Sequence, residues 1–118
     1  MPTTIQRIQP SKRMSQAVVH GDTVYLAGQV AQDHAGASVA EQTREILARI
    51  EALLAEAGTD KTKLLSANIW LADIATFNEM NGVWDAWIAE GCAPARATVE
   101  ARLATPRFTV EIAVVAAR

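Results

Sequence analysis

Cysteine is almost absent from the sequence. Cys92 stands alone, which excludes an intrachain disulfide framework and fits a reducing compartment. A charge excess of either sign is also missing: eleven Lys and Arg against thirteen Asp and Glu leave a formal charge of −2. Without a basic excess, neither nucleic acid nor an anionic membrane surface is the expected partner. No apolar run approaches the ~18 residues of a membrane-spanning helix. Residues 1–11 are polar and lack a signal-peptide core, so a cytoplasmic protein is expected. There is no phosphate loop, no dinucleotide fingerprint, and no Cys/His cluster at metal-ligand spacing. No motif therefore marks a metal or nucleotide site. Repeats, linkers and biased segments are missing as well. What is present is ordinary: half the residues are hydrophobic and a fifth are charged. Residues 1–118 read as one globular domain, able to bury about two-thirds of its unfolded surface.

Two short β-leaning runs come first, SQAVVH over residues 15–20 and TVYLA over residues 23–27. Gly21 and Asp22 between them are a two-residue hairpin signal. Residues 32–37 are polar and contain a glycine, so they read as a loop. Residues 38–57 form the strongest helix. Ser38 is its N-cap, Glu41 has the capping-box spacing, and Gly58 is the stop. Val39, Ile46, Ile50, Leu53, Leu54 and Ala57 share one side. Residues 64–71 (LLSANIWL) are a third strand. Residues 76–89 are a second helix, with Phe77, Met80, Trp84, Trp87 and Ile88 as its apolar stripe. Strands over 97–103 and 108–116 follow. The order ββαβαββ predicts an α+β layer: one sheet with two helices packed on one face.

The last strand also bears on assembly. Phe108, Val110, Ile112 and Val114 point one way, while Thr109, Glu111, Ala113 and Val115 point the other. Both sets are largely apolar, and residues 24–27 repeat the pattern. Two helices can cover only one face of such a sheet. The second apolar face predicts contact with further copies of the chain, since most soluble assemblies are closed homo-oligomers.

Few residues invite chemistry. Glu111 is the most unusual, a carboxylate in the middle of an apolar strand. Burying it alone is expensive, so it should be paired, hydrogen-bonded or protonated. Either it forms a structural ion pair with an arginine or it is a catalytic carboxyl at a cleft edge. Arg96, entering a strand after Pro94 and Ala95, has the guanidinium fork that suits a carboxylate. Otherwise it is an arginine snorkelling over the sheet, as Arg102 and Arg107 are read. Asn81 lies four residues after Phe77 and three before Trp84, on or beside the apolar stripe, and must be satisfied there. It either ties down a loop or lines a pocket. Gly28 ends a strand and permits close backbone approach. His20 and His34 read as solvated loop residues, Cys92 as incidental, and the three tryptophans as core or subunit contact.

Together these pieces resemble a known family. Pro94-Ala95-Arg96-Ala97-Thr98-Val99, then Leu103, then Val110-Glu111-Ile112, is similar to the C-terminal signature of the RidA/YjgF family. Val24 to Val30, with Gly28-Gln29, looks like that family's strand ending in Gly-Gln. Gln42, the helix carrying Asn81, and Val114 to Ala117 also fit. Met80-Asn81, Trp84-Asp85-Ala86-Trp87, Gly91 and Ala93-Pro94 look most like its YoaB-like branch.

The resemblance implies a chorismate-mutase-like α+β fold assembled as a homotrimer, with active sites at subunit interfaces. It implies cofactor-free hydrolysis of 2-imino acids and their enamine tautomers to 2-keto acids and ammonia. Arg96 would bind the substrate carboxylate, and Glu111 would position water or shuttle a proton. Asn81 and Gly28 would line the pocket. Thr98 stands where many members have cysteine, and its hydroxyl keeps hydrogen-bonding capacity. Met14 stands where an aromatic residue, commonly Tyr, helps close the pocket, and Ala27 replaces a common hydroxyl residue. A thioether packs against ligand but offers no phenol. Those departures support a second reading, a non-catalytic module that binds a small carboxylate such as a keto acid. A third, a translation- or RNA-linked regulator, is disfavoured by the net charge and the six aromatic residues.

Overall fold

The computed structural model describes residues 4–118. Three strands come first: β1 (Ile5–Pro10), β2 (Ser15–His20) and β3 (Thr23–Leu26). They are followed by α1 (Val39–Glu56), β4 (Leu64–Leu71), α2 (Phe77–Trp87), β5 (Ala95–Glu100) and β6 (Val110–Ala117). The strands form one mixed sheet in the order β1-β2-β3-β6-β4-β5. β4 and β5, joined through α2, run parallel, and the other neighbouring pairs are antiparallel.

The expected α+β layout is present with a corrected strand count. Five strands were expected and six occur among the described residues. β1 escapes a pattern reading because only Ile8 of IQRIQP enters the core. An edge strand does not need alternation, and it tolerates Pro10 at its end. β5 begins at Ala95, two residues before the expected start, so Arg96 and Thr98 are both strand residues.

Each end of α1 has a local cause. Ser38 Oγ accepts the Glu41 N–H at 3.2 Å, as the capping spacing requires. Glu79 of α2 accepts the Ala40 N–H at 3.0 Å and ties the two helices together. Gly58 takes φ +85°. Its N–H donates to Ala55 O at 3.0 Å while the Thr59 N–H donates to Leu54 O at 2.9 Å. This is the Schellman pattern, which satisfies the last carbonyls of the helix.

The core lies between the helices and one sheet face. Ile46, Leu47, Ile50 and Leu54 of α1, and Met80 and Trp84 of α2, are buried in one cluster with Val110, Ile112, Val114 and Ala116 of β6. The other face of β6 carries the half-buried Glu111, Ala113 and Val115. On that open face Tyr25 and Val99 are 48% and 50% exposed. The two-sided apolar pattern is therefore real, and one of its sides has no cover among the described residues.

Candidate active site in two halves

Strand register decides where Arg96 points. Arg96 pairs with Ala67 and Thr98 with Ile69. Ala67 and Ile69 are buried under the helices, so Arg96 and Thr98 face α2. Arg96 Nη1 donates to Asn81 Oδ1 at 2.8 Å. Its Cζ lies 5.8 Å from the ring centre of Phe77 and 5.2 Å from that of Trp84. Phe77, Asn81 and Trp84 follow the four-and-three spacing of one helix face, so α2 supplies all three contacts. Ring faces attract a guanidinium and hold it flat. Arg96 forms no ion pair among the described residues. Its unused N–H donors are available to an anion, with Asn81 fixing the plane of the fork. Thr98 Oγ1, on the same face, is shielded from solvent and has no hydrogen-bond partner among the described residues.

The second half is built by a bulge. Between the pairs Tyr25–Val115 and Gln29–Ile112, the β3 side advances four residues and β6 only three. The extra residue bends the chain and brings Gly28 against Glu111. A Cβ on Gly28 would overlap Glu111 Oε2 and come within 3.0 Å of its Cδ. Glycine there lets the Glu111 carboxyl lie directly against the backbone. Gln29 locks the bulge: its N–H donates to Ile112 O at 2.8 Å and its O accepts the Ile112 N–H at 3.1 Å. Gln29 Nε2 also donates to Gln16 Oε1 at 2.9 Å. Met14, in the β1–β2 turn, sits at the rim. Met14, Gln16, Gly28, Gln29, Phe108 and Glu111 line a cleft of about 460 Å³.

Glu111 has no hydrogen bond or ion pair among the described residues. The structural ion pair with an arginine, one of its two expected roles, is absent. Burial alone pushes its carboxyl above the ordinary value of 4.5. Glu111 pairs with Trp70 across β4, on the open face. Arg96 projects on the helix face. The two charged residues therefore lie on opposite sides of one sheet, and a single chain does not bring them together.

Other sequence expectations resolve simply. His34 is not merely solvated: its Nδ1 lies 2.7 Å from Glu45 Oε1. Arg107 Nη2 donates to Ala35 O at 2.8 Å and clamps a loop. Cys92 is half-buried and free. No three His, Cys, Asp or Glu among the described residues come together as a metal site. No helix among them is long and apolar enough to cross a membrane.

The family described as Endoribonuclease L-PSP matches residues 4–118. The RutC family protein YoaB of Escherichia coli is 44% identical over 114 residues, covering 97% of this chain and 98% of its own. The chain belongs to the RidA/YjgF family. A crystal structure of a YjgF family member from Neisseria meningitidis superposes with a TM-score of 0.94 at 45% identity, covering 98% of this chain and 95% of its own. A Bos taurus protein named 2-iminobutanoate/2-iminopropanoate deaminase is 34% identical over 107 residues, covering 86% of this chain and 77% of its own.

Of the residues singled out in the RidA/YjgF resemblance, Arg96 and Asn81 meet on the helix face and Gly28 and Glu111 meet at the bulge. Three supporting residues were missed or misread. Phe77 and Trp84 looked like core, yet they also flank the Arg96 guanidinium. Gln42 was passed over except as a point of likeness. It is fully buried: its Nε2 donates to Ala37 O and Arg107 O at 3.0 and 2.9 Å, and its Oε1 accepts the Thr109 N–H at 2.9 Å. Its signal was available, because Gln42 falls between Val39 and Ile46 on the apolar stripe, where an amide must have partners.

Proposed function

We propose that this protein hydrolyses 2-imino acids and 2-enamines to 2-keto acids and ammonia in the cytoplasm, at sites shared between copies of a homotrimer. The observation that carries the reading is the pair of unpaired charges on opposite sheet faces. One copy would supply Arg96, Asn81 and Thr98. Its neighbour would supply Glu111, Gly28 and Met14 against the open apolar face. The name of the bovine relative supports the reaction class.

Arg96 would take the substrate carboxylate through its free donors and so fix the imine carbon over Glu111. Such anchoring replaces a random encounter with a held geometry. Water adds to the imine carbon while a proton reaches the nitrogen. The carbinolamine then collapses, releasing ammonia and leaving the ketone. Glu111, raised by burial, is suited to accept the water proton and return one to the leaving nitrogen near neutral pH. An iminium is already electrophilic, so no metal or organic cofactor is required.

The test is a coupled assay. An amino-acid oxidase or threonine dehydratase generates the imino acid in situ, and semicarbazide traps what is not hydrolysed. Wild type should suppress trapping, and Arg96→Ala and Glu111→Gln should each lose at least ~100-fold in kcat/KM. Wild-type inactivity across several imino acids, with saturable keto-acid binding, would replace the enzyme by a carboxylate-binding module. Met14, which puts a thioether at the cleft rim, and Ala27, which offers no hydroxyl beside Gly28, are the residues that favour that outcome.

A further inference from the structure

Two polar groups on one face of the β6 segment lack partners. One is the Glu111 carboxyl. The other is Thr109 Oγ1, shielded from solvent and without a hydrogen-bond partner among the described residues. An unmade hydrogen bond on a shielded hydroxyl is a net cost. Valine has nearly the same shape, favours strands as strongly, and would avoid that cost. A threonine here calls for a use of its hydroxyl.

The backbone at Thr109 is pinned from two sides. Its N–H donates to the buried Gln42 at 2.9 Å, and its O accepts the Ala72 N–H at 3.0 Å. Thr109 immediately precedes β6, and its bond to Ala72 continues the β4–β6 register beyond the pair Leu71–Val110, so alternation with the buried Val110 puts Thr109 on the side of Glu111. Residues two apart on a strand are about 6.6 Å apart, within reach of a glutamate side chain and a hydroxyl together. A change of one staggered χ1 well re-aims Oγ1 without moving the backbone. The groups facing Glu111 from neighbouring elements do not compete. Trp70 comes from β4 and Gly28 from the bulge, and neither titrates. Arg49, the other charged residue in the cleft, is committed to Glu45 at 2.6 Å and Asp33 at 3.4 Å.

We propose that Thr109 is a positioning residue: its hydroxyl donates to the ionised Glu111 carboxylate and holds it in the geometry that receives the water proton. The inference rests on the acid–base role assigned to Glu111 above. It assigns to this chain a further residue in the same half of the site.

The test compares Thr109→Val and Thr109→Ser with wild type, using two readouts. The first is the Glu111 titration followed by carboxyl carbon NMR, assigned with Glu111→Gln. The second is kcat and KM for imine hydrolysis. Loss of the hydroxyl should move the Glu111 midpoint upward by ~0.5 or more and lower kcat roughly tenfold at unchanged KM, with Ser restoring both. An unchanged midpoint in Thr109→Val, with only the melting temperature or the oligomer mass altered, would overturn the proposal and give the hydroxyl to packing. Should Thr109→Val not assemble, Thr109→Ala carries the same comparison. The titration needs no turnover, so an inactive wild type would sink the deaminase reading separately.

Discussion

At the scale of single residues, Gly28 and Glu111 constrain each other. A Cβ at position 28 would meet the far end of the Glu111 side chain, not backbone. A flexible side chain can swing away at little cost. Gly28→Ala should therefore change stability by less than ~1 kcal/mol, yet displace the carboxyl and lower kcat by ~100-fold or more. Urea unfolding beside steady-state kinetics would show whether the two effects separate. Glu111 also makes a signed statement about pH. Burial holds its folded-state carboxyl above the ordinary 4.5, to which it returns on unfolding. Between those two values the folded chain binds more protons. The contribution of Glu111 to stability is thus full below 4.5 and is lost as pH rises through the folded value. Glu111→Gln abolishes that titration. Its melting temperature should exceed that of wild type near about pH 8, and the advantage should vanish near about pH 4. An equal difference at both pH values would mean that Glu111 is ordinarily solvated.

At the scale of elements, the site depends on how α1 and α2 meet the sheet. Gln42 reaches from α1 to the residues preceding β6 and holds three backbone groups. Gln42→Leu keeps the volume but leaves those groups unsatisfied in the core. A loss of about 2–5 kcal/mol is expected, read as a lower urea midpoint at unchanged slope. A loss below ~1 kcal/mol would show that the loop finds other partners. α2 works differently. Its buried Trp84 serves the core and the Arg96 guanidinium together, whereas Phe77, 37% exposed, serves mainly the latter. Elements with strong periodicity were legible from sequence. Ser38 and Gly58 bound α1, and Gly21, at φ +61°, turns the β2–β3 hairpin. β1 was not legible, since one buried residue in six leaves no pattern. The bulge at Gly28 was not legible either. It is a mismatch between two strands far apart in sequence, and neither strand records it alone.

At the scale of the whole molecule, the charged residues of the site were legible, while their separation was not. Glu111 stood out because a lone carboxylate is costly in an apolar strand, and Arg96 stood out through the family resemblance. Which face each occupies depends on sheet order and register. Those follow from the parallel β4–β5 pair and from β6 lying between β3 and β4, which no local pattern encodes. Once register is known, a sharp consequence follows. If each site takes Arg96 from one copy and Glu111 from the next, two inactive chains can rescue each other. In a closed ring mixed at random from equal amounts of Arg96→Ala and Glu111→Gln chains, half of the Arg-donating positions are intact. Half of the Glu-donating positions facing them are intact as well. About a quarter of the sites therefore regain both groups, whatever the number of copies in the ring. Coexpression or joint refolding should restore about a quarter of wild-type activity, while each parent alone stays inactive. The open face sets a second condition on the same experiment. A lysine at Val99, half exposed on the edge strand, should weaken assembly and abolish both the rescue and wild-type turnover. Retained turnover in a monomeric Val99→Lys chain, seen by light scattering beside the assay, would place a complete site within one copy.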